Sequence, residues 1–360
     1  MRRSIQSKGS HGSRLAWPTL LGCAALLALL LGPVLLAPGA VQAAPADGRL
    51  KPLLTGLLDR SGPPPAELRD TVRAYVLQVS WRDLQPVDSS SITTRVLDRR
   101  LDQARAQGAR VKLRIMTGVE SPRWAKRLGG RPVELSDRHD DQSGRVPRFW
   151  TAAFGTAYAD LHERLAARYD ADPTVAEVVV SRCTTFYAEP FIRQTSDPAS
   201  RRALLRAGYT RAADKACHRR EIDAHRVWQQ TRSGLALNPA QFVTGDGGRT
   251  VDDAFTVAIM RYCARTLGAR CVLENNSIRS PIASLDPNPQ EPHYRRMYRA
   301  MRRHAPSQAF QTATAARMGH CARTLDWAAE RGASYVELPW NAADAGCTVR
   351  ILTAAAGRLG

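Results

Sequence analysis

The chain has 360 residues, of which 44% are hydrophobic, and 52 basic against 33 acidic residues give it a formal net charge of +19. The basic residues are spread along the whole chain and form no block with interleaved aromatic side chains, which argues against nucleic-acid binding. The positive charge fits a solvated basic surface, or attraction to the anionic polymers of a cell envelope.

The first 43 residues are typical of a secretory signal. A basic leader precedes an almost wholly apolar run over 19–37, and Val41 and Ala43 are small residues at the spacing that a signal peptidase needs. This pattern predicts a signal peptide over 1–43, a mature domain over 44–360, and a secreted, extracytoplasmic protein. The apolar run is long enough to span a bilayer, so an uncleaved N-terminal anchor is the alternative.

Six of the seven cysteines follow this leader. An even number of cysteines in an exported chain favours disulfides. The sequence alone does not choose among the pairings, but proximity along the chain suggests Cys183–Cys217, Cys263–Cys271 and Cys321–Cys347. No cysteine or histidine group has the spacing of a zinc site, and no cofactor motif is present, so we expect neither a metal nor a cofactor.

Short apolar runs alternate with helical periodicity along the mature chain. Eight strands are predicted, at 53–58, 74–80, 109–116, 175–181, 234–238, 270–275, 307–312 and 333–339. Helices are predicted at 65–73, 93–107, 152–169, 201–207, 210–232, 252–267, 293–303 and 321–331. The polar stretch 119–148 has no periodicity and is predicted to be a long loop, and 245–248 a turn.

Eight strand–helix units in a chain of this length predict a single (β/α)8 barrel. The alternative is an open, doubly wound sheet. For that fold we would expect a glycine-rich phosphate-binding loop after the first strand, and the sequence has none there.

The ends of the predicted strands carry the functional prediction, because the loops after the strands form the active site of such a barrel. The segment 175–190 is the most informative, since an apolar strand leads through polar residues to Glu189. Amides and carboxylates bond sugar hydroxyls, and Trp or Tyr rings stack on sugar rings, so we predict a carbohydrate or cell-envelope glycan as the partner. The other candidate residues are Trp81, Asp83, Tyr187, Glu274, Asn276, Gln311, Glu337 and Trp340.

Three motifs resemble clan A glycoside hydrolases, and the family 42 β-galactosidase-like barrels in particular. The run WRDLQP at 81–86, followed by a helix and the strand VKLRIM, is similar to the second-strand region of that family. SPRW at 121–124 is similar to its Ser-Pro-x-Trp. AEP at 188–190 stands where the clan has Asn-Glu, often Asn-Glu-Pro, and the glutamate is the general acid/base.

The resemblance therefore implies that Glu189 is the general acid/base. Two departures limit it: Ala188 replaces an asparagine that contacts the sugar, and the seventh strand ends in Gln311 where the clan has a nucleophilic glutamate. Glycoside hydrolysis usually needs two carboxyl groups. Glu274, predicted at the end of the sixth strand, is the preferred second carboxylate, and Glu337 is the other candidate.

Alternatives remain for each of these roles. Glu337 is alternatively an interior ion pair with an arginine such as Arg114, and Glu274 is alternatively part of a polar cluster that only holds loops. For the whole protein, the first hypothesis is a secreted glycoside hydrolase-like barrel. The second is a non-catalytic carbohydrate-binding barrel that has lost its nucleophile, and the third is an envelope-anchored interaction protein with a basic surface.

Overall fold

Eight parallel strands close into a barrel in the computed structural model, which describes residues 49–360 except 138–140, 194–195 and 281–290. Each strand pairs with its neighbours in sequence order, and the last strand pairs with the first. The predicted (β/α)8 barrel is confirmed, and all eight strands overlap the predicted ones. The strands are β1 (Gly56–Asp59), β2 (Ala74–Ser80), β3 (Arg110–Met116), β4 (Val175–Val179), β5 (Arg232–Leu237), β6 (Cys271–Ile278), β7 (Ser307–Thr312) and β8 (Tyr335–Glu337).

Helices connect the strands around the outside. They are α1 (Trp81–Leu84), α2 (Arg95–Ala106), α3 (Arg123–Lys126), α4 (Ala152–Tyr169), α5 (Pro198–Arg206), α6 (Arg211–Ala224), α7 (Asp253–Leu267), α8 (Glu291–His304), α9 (Ala315–Met318), α10 (Cys321–Ala329) and α11 (Val349–Ala356). The helix predicted at 65–73 is only the 3-10 turn Ala66–Leu68, and α11 was not predicted. In the described part of the chain, no helix combines the length and apolarity needed to cross a membrane.

The prediction of a structureless loop over 119–148 is wrong. This segment contains α3 and an antiparallel pair of strands, Val133–Asp137 and Gln142–Val146. Each strand has only five residues, too few for their alternation to stand out in a polar sequence. A second small hairpin pairs Gln241–Val243 with Arg249–Val251, and the turn predicted at 245–248 lies between its strands.

The predicted signal peptide over 1–43 lies outside the described residues. The three suggested disulfides are all present and confirmed. Cys183–Cys217 joins the loop after β4 to α6, Cys263–Cys271 joins α7 to β6, and Cys321–Cys347 joins α10 to the segment before α11. Each disulfide therefore fixes a helix to the segment beside it, which restricts the unfolded chain.

Apolar side chains fill the layer between the strands and the helices. On α2, Leu97, Leu101 and Ala104 are buried at the spacing of one helical turn. Inside the barrel the apolar part is small and lies near the N-terminal ends of the strands. Its buried members are Leu54, Leu58, Ala74, Ala176, Val272, Ala309 and Tyr335.

Above this apolar floor, toward the C-terminal ends of the strands, the interior is charged. Lys112 on β3 is 0% exposed and its ammonium contacts three buried carboxyl groups, those of Glu177, Glu274 and Glu337. Room for them depends on Gly234 on β5. A Cβ atom there would overlap the carboxyl group of Glu274 and lie 2.6 Å from Oε1 of Glu177.

We therefore predict that Gly234→Ala destabilises the protein. Overpacking a filled interior costs about 1–3 kcal/mol, which exceeds the roughly 0.4–1 kcal/mol that an alanine gains by restricting the unfolded chain. Thermal and urea unfolding of the purified variant measure the change. Gly245→Ala is the matched control, because a Cβ there meets no atom within 4 Å. Equal stability of the two variants would contradict this account of the interior.

Candidate active site at the barrel mouth

Glu189 lies at the barrel mouth, by which we mean the C-terminal ends of β1–β8 and the loops that follow them. It sits in the loop after β4 and is only partly exposed. Asn276, near the end of β6, donates a hydrogen bond from Nδ2 to Glu189 Oε1 at 3.1 Å. Burial raises the pKa of Glu189, although the charge of Arg114 and the bond from Asn276 act in the opposite direction. The carboxyl group is thus tuned toward holding a proton.

The loop after β4 is fixed to α6 at several points. The disulfide between Cys183 and Cys217 joins them covalently. Further along the loop, Arg193 forms a buried two-point ion pair with Asp214 of α6, at 3.0 Å from Nε and 2.6 Å from Nη2. Arg193 also donates to the carbonyl oxygen of Pro190 at 2.6 Å. These contacts hold the segment on both sides of Glu189 against a helix, which fixes the position of that loop.

Arg114 on β3 and Glu337 on β8 form a buried ion pair across the barrel. Nη2 of Arg114 donates to both carboxylate oxygens of Glu337, at 2.9 and 2.8 Å, and to Oε1 of Gln311 at 3.1 Å. Burial alone would raise the pKa of Glu337, but Arg114 and Lys112 outweigh it and lower the pKa to about 2. The ion pair proposed as the alternative for Glu337 is therefore present, and Gln311 is bound to the same arginine.

Glu274 lies below the mouth, in the charged layer inside the barrel. The prediction that Glu274 ends the sixth strand is wrong, because β6 continues to Ile278. Its carboxyl group is buried and contacts Lys112. Burial raises its pKa well above the usual range, and the neighbouring Glu177 adds to this although Lys112 opposes it. A proton on Glu274 lowers the charge repulsion among three glutamates gathered around one lysine.

Arg60, which follows β1 directly, lies at the mouth beneath Trp340. Its guanidinium stacks on the indole ring at 4.7 Å from the ring centroid. It is only 8% exposed, and Nη1 donates to the carbonyl oxygen of Thr312 at 3.4 Å. Burial lowers the pKa of Arg60, while the charges of Glu337 and Glu189 act to raise it. Arg60 and Glu189 thus lie within electrostatic range of one another.

Three other predicted substrate-binding residues follow β2 or β4, and each has surroundings of its own. Trp81 is 0% exposed and packs against Trp124, so its indole is part of the core and the prediction that it binds sugar is wrong. Asp83 is exposed on α1. Tyr187 donates a hydrogen bond to Asp137 of the first hairpin at 2.9 Å. Of the predicted set, the structure brings together Glu189 with Asn276, and Glu337 with Gln311, while Trp340 is 53% exposed and covers Arg60.

Sequence reasoning missed Lys112, Glu177 and Arg60, and named Arg114 only as a possible partner. The signal for two of them was present. Lys112 and Arg114 stand two residues apart in an apolar strand, so they face the same side of the sheet. Both are buried, and a charged residue in a buried strand usually has a charged partner inside. Arg60 gave no such signal, because an arginine after a strand is ordinary on a protein surface.

One group of side chains in the described part of the chain has the composition of a metal site. Cys183, His218 and Glu221 lie close together and are buried. The sulfur of Cys183 is bonded to Cys217, which removes the thiolate ligand. Nδ1 of His218 is 2.9 Å from Glu221 Oε1, which engages the imidazole. These residues therefore support the loop after β4 and do not form a metal-binding set.

Comparison with solved structures shows a similar fold. The catalytic domain of β-amylase from Paenibacillus polymyxa aligns with a TM-score of 0.56 and 11% identity over 81% of this chain and 94% of that domain. The likeness is one of fold. Endo-glycoceramidase II from a Rhodococcus species aligns with a TM-score of 0.46 and 16% identity, over 79% of this chain and 72% of that one. No protein-family model and no curated protein sequence matches the chain.

The lowered pKa of Glu337 predicts acid sensitivity. A carboxyl group with a pKa of about 2 in the folded state contributes stability above its unfolded pKa, and this stability is lost as the pH falls from about 4.5 toward 2. The contribution of this buried group is roughly 3 kcal/mol. We expect Glu337→Gln to be less stable at neutral pH and to lose less stability on acidification, as measured by urea unfolding between pH 3 and 7.

The matched control is Glu134→Gln, since Glu134 is an exposed residue of the first hairpin whose contact with Arg145 is long and solvated. That variant should follow the wild-type dependence on pH. Parallel stability curves for wild type and Glu337→Gln would contradict the assignment of the charge to Glu337.

Proposed function

We propose that this barrel acts on a carbohydrate and that Glu189 is its general acid/base. The observation that carries the proposal is that the pKa values of two neighbouring carboxyl groups are shifted in opposite directions. The pKa of Glu189 is raised, whereas the pKa of Glu337, within its electrostatic range, is lowered to about 2. Glycoside hydrolysis needs a protonated carboxyl group to assist the leaving sugar and a charged one on the other side of the bond.

In this role neutral Glu189 donates its proton to the glycosidic oxygen as the bond to the anomeric carbon breaks. The carboxylate left behind is stabilised by the charge of Arg114 and by the hydrogen bond from Asn276 at 3.1 Å. Both groups favour the charged form of Glu189, so they act after the proton has left. Burial favours the protonated form of Glu189 before the reaction, and Arg114 and Asn276 stabilise the carboxylate that forms when the proton leaves.

The second carboxyl group differs from the one that the sequence favoured. Glu274 lies in the layer below the mouth in contact with Lys112, and its raised pKa disfavours the charged form that a nucleophile or base needs. Glu337 is charged, but Arg114 and Lys112 hold its oxygens. Glu337 therefore has no free oxygen to attack the anomeric carbon, and it contributes only its negative charge to the site. Water is the attacking group, and the carboxylate of Glu189 takes the proton of that water after the leaving sugar has departed. We do not assign a covalent sugar–enzyme intermediate to Glu337.

Residues around these two glutamates would hold the sugar. Trp340 is 53% exposed and offers an indole ring at the rim. Asn276 is buried beside Glu189, and its Oδ1 has no hydrogen-bond partner among the described residues. Gln311, near the end of β7, accepts a hydrogen bond from Arg114. An indole ring with nearby amides is the combination that binds a sugar ring and its hydroxyl groups.

A second candidate is a non-catalytic barrel that binds carbohydrate. Gln311 stands at the seventh-strand position where the resemblance to clan A implies a nucleophile. Both oxygens of Glu337 are engaged by cations. These observations favour binding without turnover, and the fold alone does not choose between the two functions.

The decisive experiment compares wild type with Glu189→Gln on glycan substrates. The variant keeps the acceptor for Asn276 but has no proton to donate, so we expect turnover of unactivated oligosaccharides to fall by roughly 100- to 10,000-fold. Aryl glycosides with acidic leaving groups need little protonation and should lose far less activity. Product formation is followed by reducing-end labelling and mass spectrometry, with Glu134→Gln as the matched control.

The outcomes separate the two candidates. Equal losses on both substrate types would mean that Glu189 does not act as an acid. Binding of glycans without turnover by wild type and variant alike would support the non-catalytic barrel. For the hydrolase, activity should fall as the pH rises through the raised pKa of Glu189, because only the protonated form donates.

We also propose that the protein is exported and that residues 1–43 are removed. Three disulfides are compatible with an oxidising compartment. Mass spectrometry of the N-terminus of protein recovered from the culture medium and from the membrane fraction tests this. A mature protein that begins at Ala44 is expected, whereas a full-length chain in the membrane fraction would support the anchored alternative.

A further inference from the structure

The guanidinium of Arg60 is buried at the mouth with one edge unpaired. Nε and Nη2 have no hydrogen-bond partner among the described residues, although both are buried. Nη1 is the nitrogen that donates to the carbonyl oxygen of Thr312. Nε and Nη2 lie on the same edge of the planar group and point two N–H bonds in parallel. This edge matches the two oxygens of a carboxylate or sulfate group.

Neighbouring acidic residues do not occupy this edge. Asp59, the preceding residue, accepts from the backbone N–H of Ser61 at 2.7 Å. The oxygens of Glu337 are bound by Arg114 and Lys112. Trp340 covers the face of the Arg60 guanidinium, and a stacked ring leaves the edge available for in-plane hydrogen bonds.

Arg60 belongs to a buried cluster of charges. Three buried cations, Lys112, Arg114 and Arg60, lie together with three glutamates, Glu177, Glu274 and Glu337. The ion pairs of these glutamates are made with Lys112 and Arg114. A buried arginine without a partner is costly, and natural sites retain such a group where a ligand supplies the partner.

We infer that the sugar bound at this mouth is acidic, and that its anionic group binds the Nε–Nη2 edge of Arg60. The inference rests on the proposed function and names its substrate class. A uronate carboxylate and a sugar sulfate share the required pair of oxygens. The net charge stays strongly positive without residues 1–43, which carry only four of the 52 basic residues, and it favours approach of an acidic polysaccharide over a neutral one.

The test measures binding by calorimetry to uronate oligosaccharides (galacturonate, glucuronate and mannuronate series), to their neutral methyl esters, and to sulfated disaccharides. The protein is used as Glu189→Gln so that turnover does not interfere. We expect an acid to bind roughly 10- to 100-fold more tightly than its own methyl ester, as a charged hydrogen-bonded pair provides. Preference for the uronate or for the sulfated series distinguishes the two anions.

Arg60→Gln should abolish this preference, and Arg60→Lys should keep only part of it because lysine lacks the two-point edge. Arg358→Gln is the matched control. It removes the same charge from an exposed pair with Asp326, so it reports any loss from long-range attraction alone. Because Arg60 is buried without a full set of partners, Arg60→Gln should leave the thermal midpoint unchanged or raise it.

Three results would overturn the inference. If the neutral esters bind as well as the acids, the protein binds carbohydrate but does not select acidic sugars. A marked fall in the thermal midpoint of Arg60→Gln would make Arg60 a structural residue. No binding to any sugar would overturn the proposed function and this inference with it.

Discussion

The interior of this barrel depends on a single buried ammonium group. Lys112 is enclosed by β-strands on all sides and contacts Glu177, Glu274 and Glu337, while Tyr335 donates its hydroxyl proton to Glu177 at 2.6 Å. Burial opposes the charge of Lys112, but the glutamates outweigh it and raise its pKa. Such a cluster stabilises the fold only as a complete set, because loss of one partner leaves the remaining charges unpaired in a medium of low polarity.

This layer also sets the electrostatics of the mouth above it. Glu337 belongs to both levels, since it contacts Lys112 below and Arg114 above. Arg114 in turn acts on Glu189 and binds Gln311. The protonation of Glu189 is therefore a property of the whole interior: burial favours the proton, and the cations of the neighbouring layer limit how strongly it is held. A glutamate in the same loop without this layer would titrate differently.

The sequence was sufficient for the architecture and for the disulfides, because both follow from local patterns. Apolar runs, helix periodicity and glycine stops place β2 and β7 at their observed bounds. Proximity along the chain found all three disulfides. The site was harder to predict from the sequence, because the ends of strands are set by pairing with strands that are distant along the chain. Glu274 was predicted to end a strand because Asn275 and Asn276 after it are polar, but both asparagines belong to β6, which continues to Ile278.

Side-chain direction was the other missing information. Trp81 begins a short helix directly after β2, and its indole is buried in the core. Arg60 and Trp340 are far apart in sequence and meet only because β1 and β8 close the barrel. This contact thus depends on closure of the barrel, which a linear sequence pattern does not encode. The resemblance to clan A motifs pointed to Glu189, but it gave no information on the cations near it, Arg60 and Arg114.

An acidic ligand would connect these features in one mechanism. Arg60 and Glu189 interact electrostatically, so the positive charge of Arg60 favours the ionised form of Glu189. An anion bound to the edge of Arg60 would offset that charge and return the balance toward protonated Glu189. By reciprocity, the proton on Glu189 would strengthen binding of the anion. The charge of the substrate would then help to keep the acid in the state that the reaction requires, which links the unpaired edge of Arg60 to the chemistry proposed for Glu189.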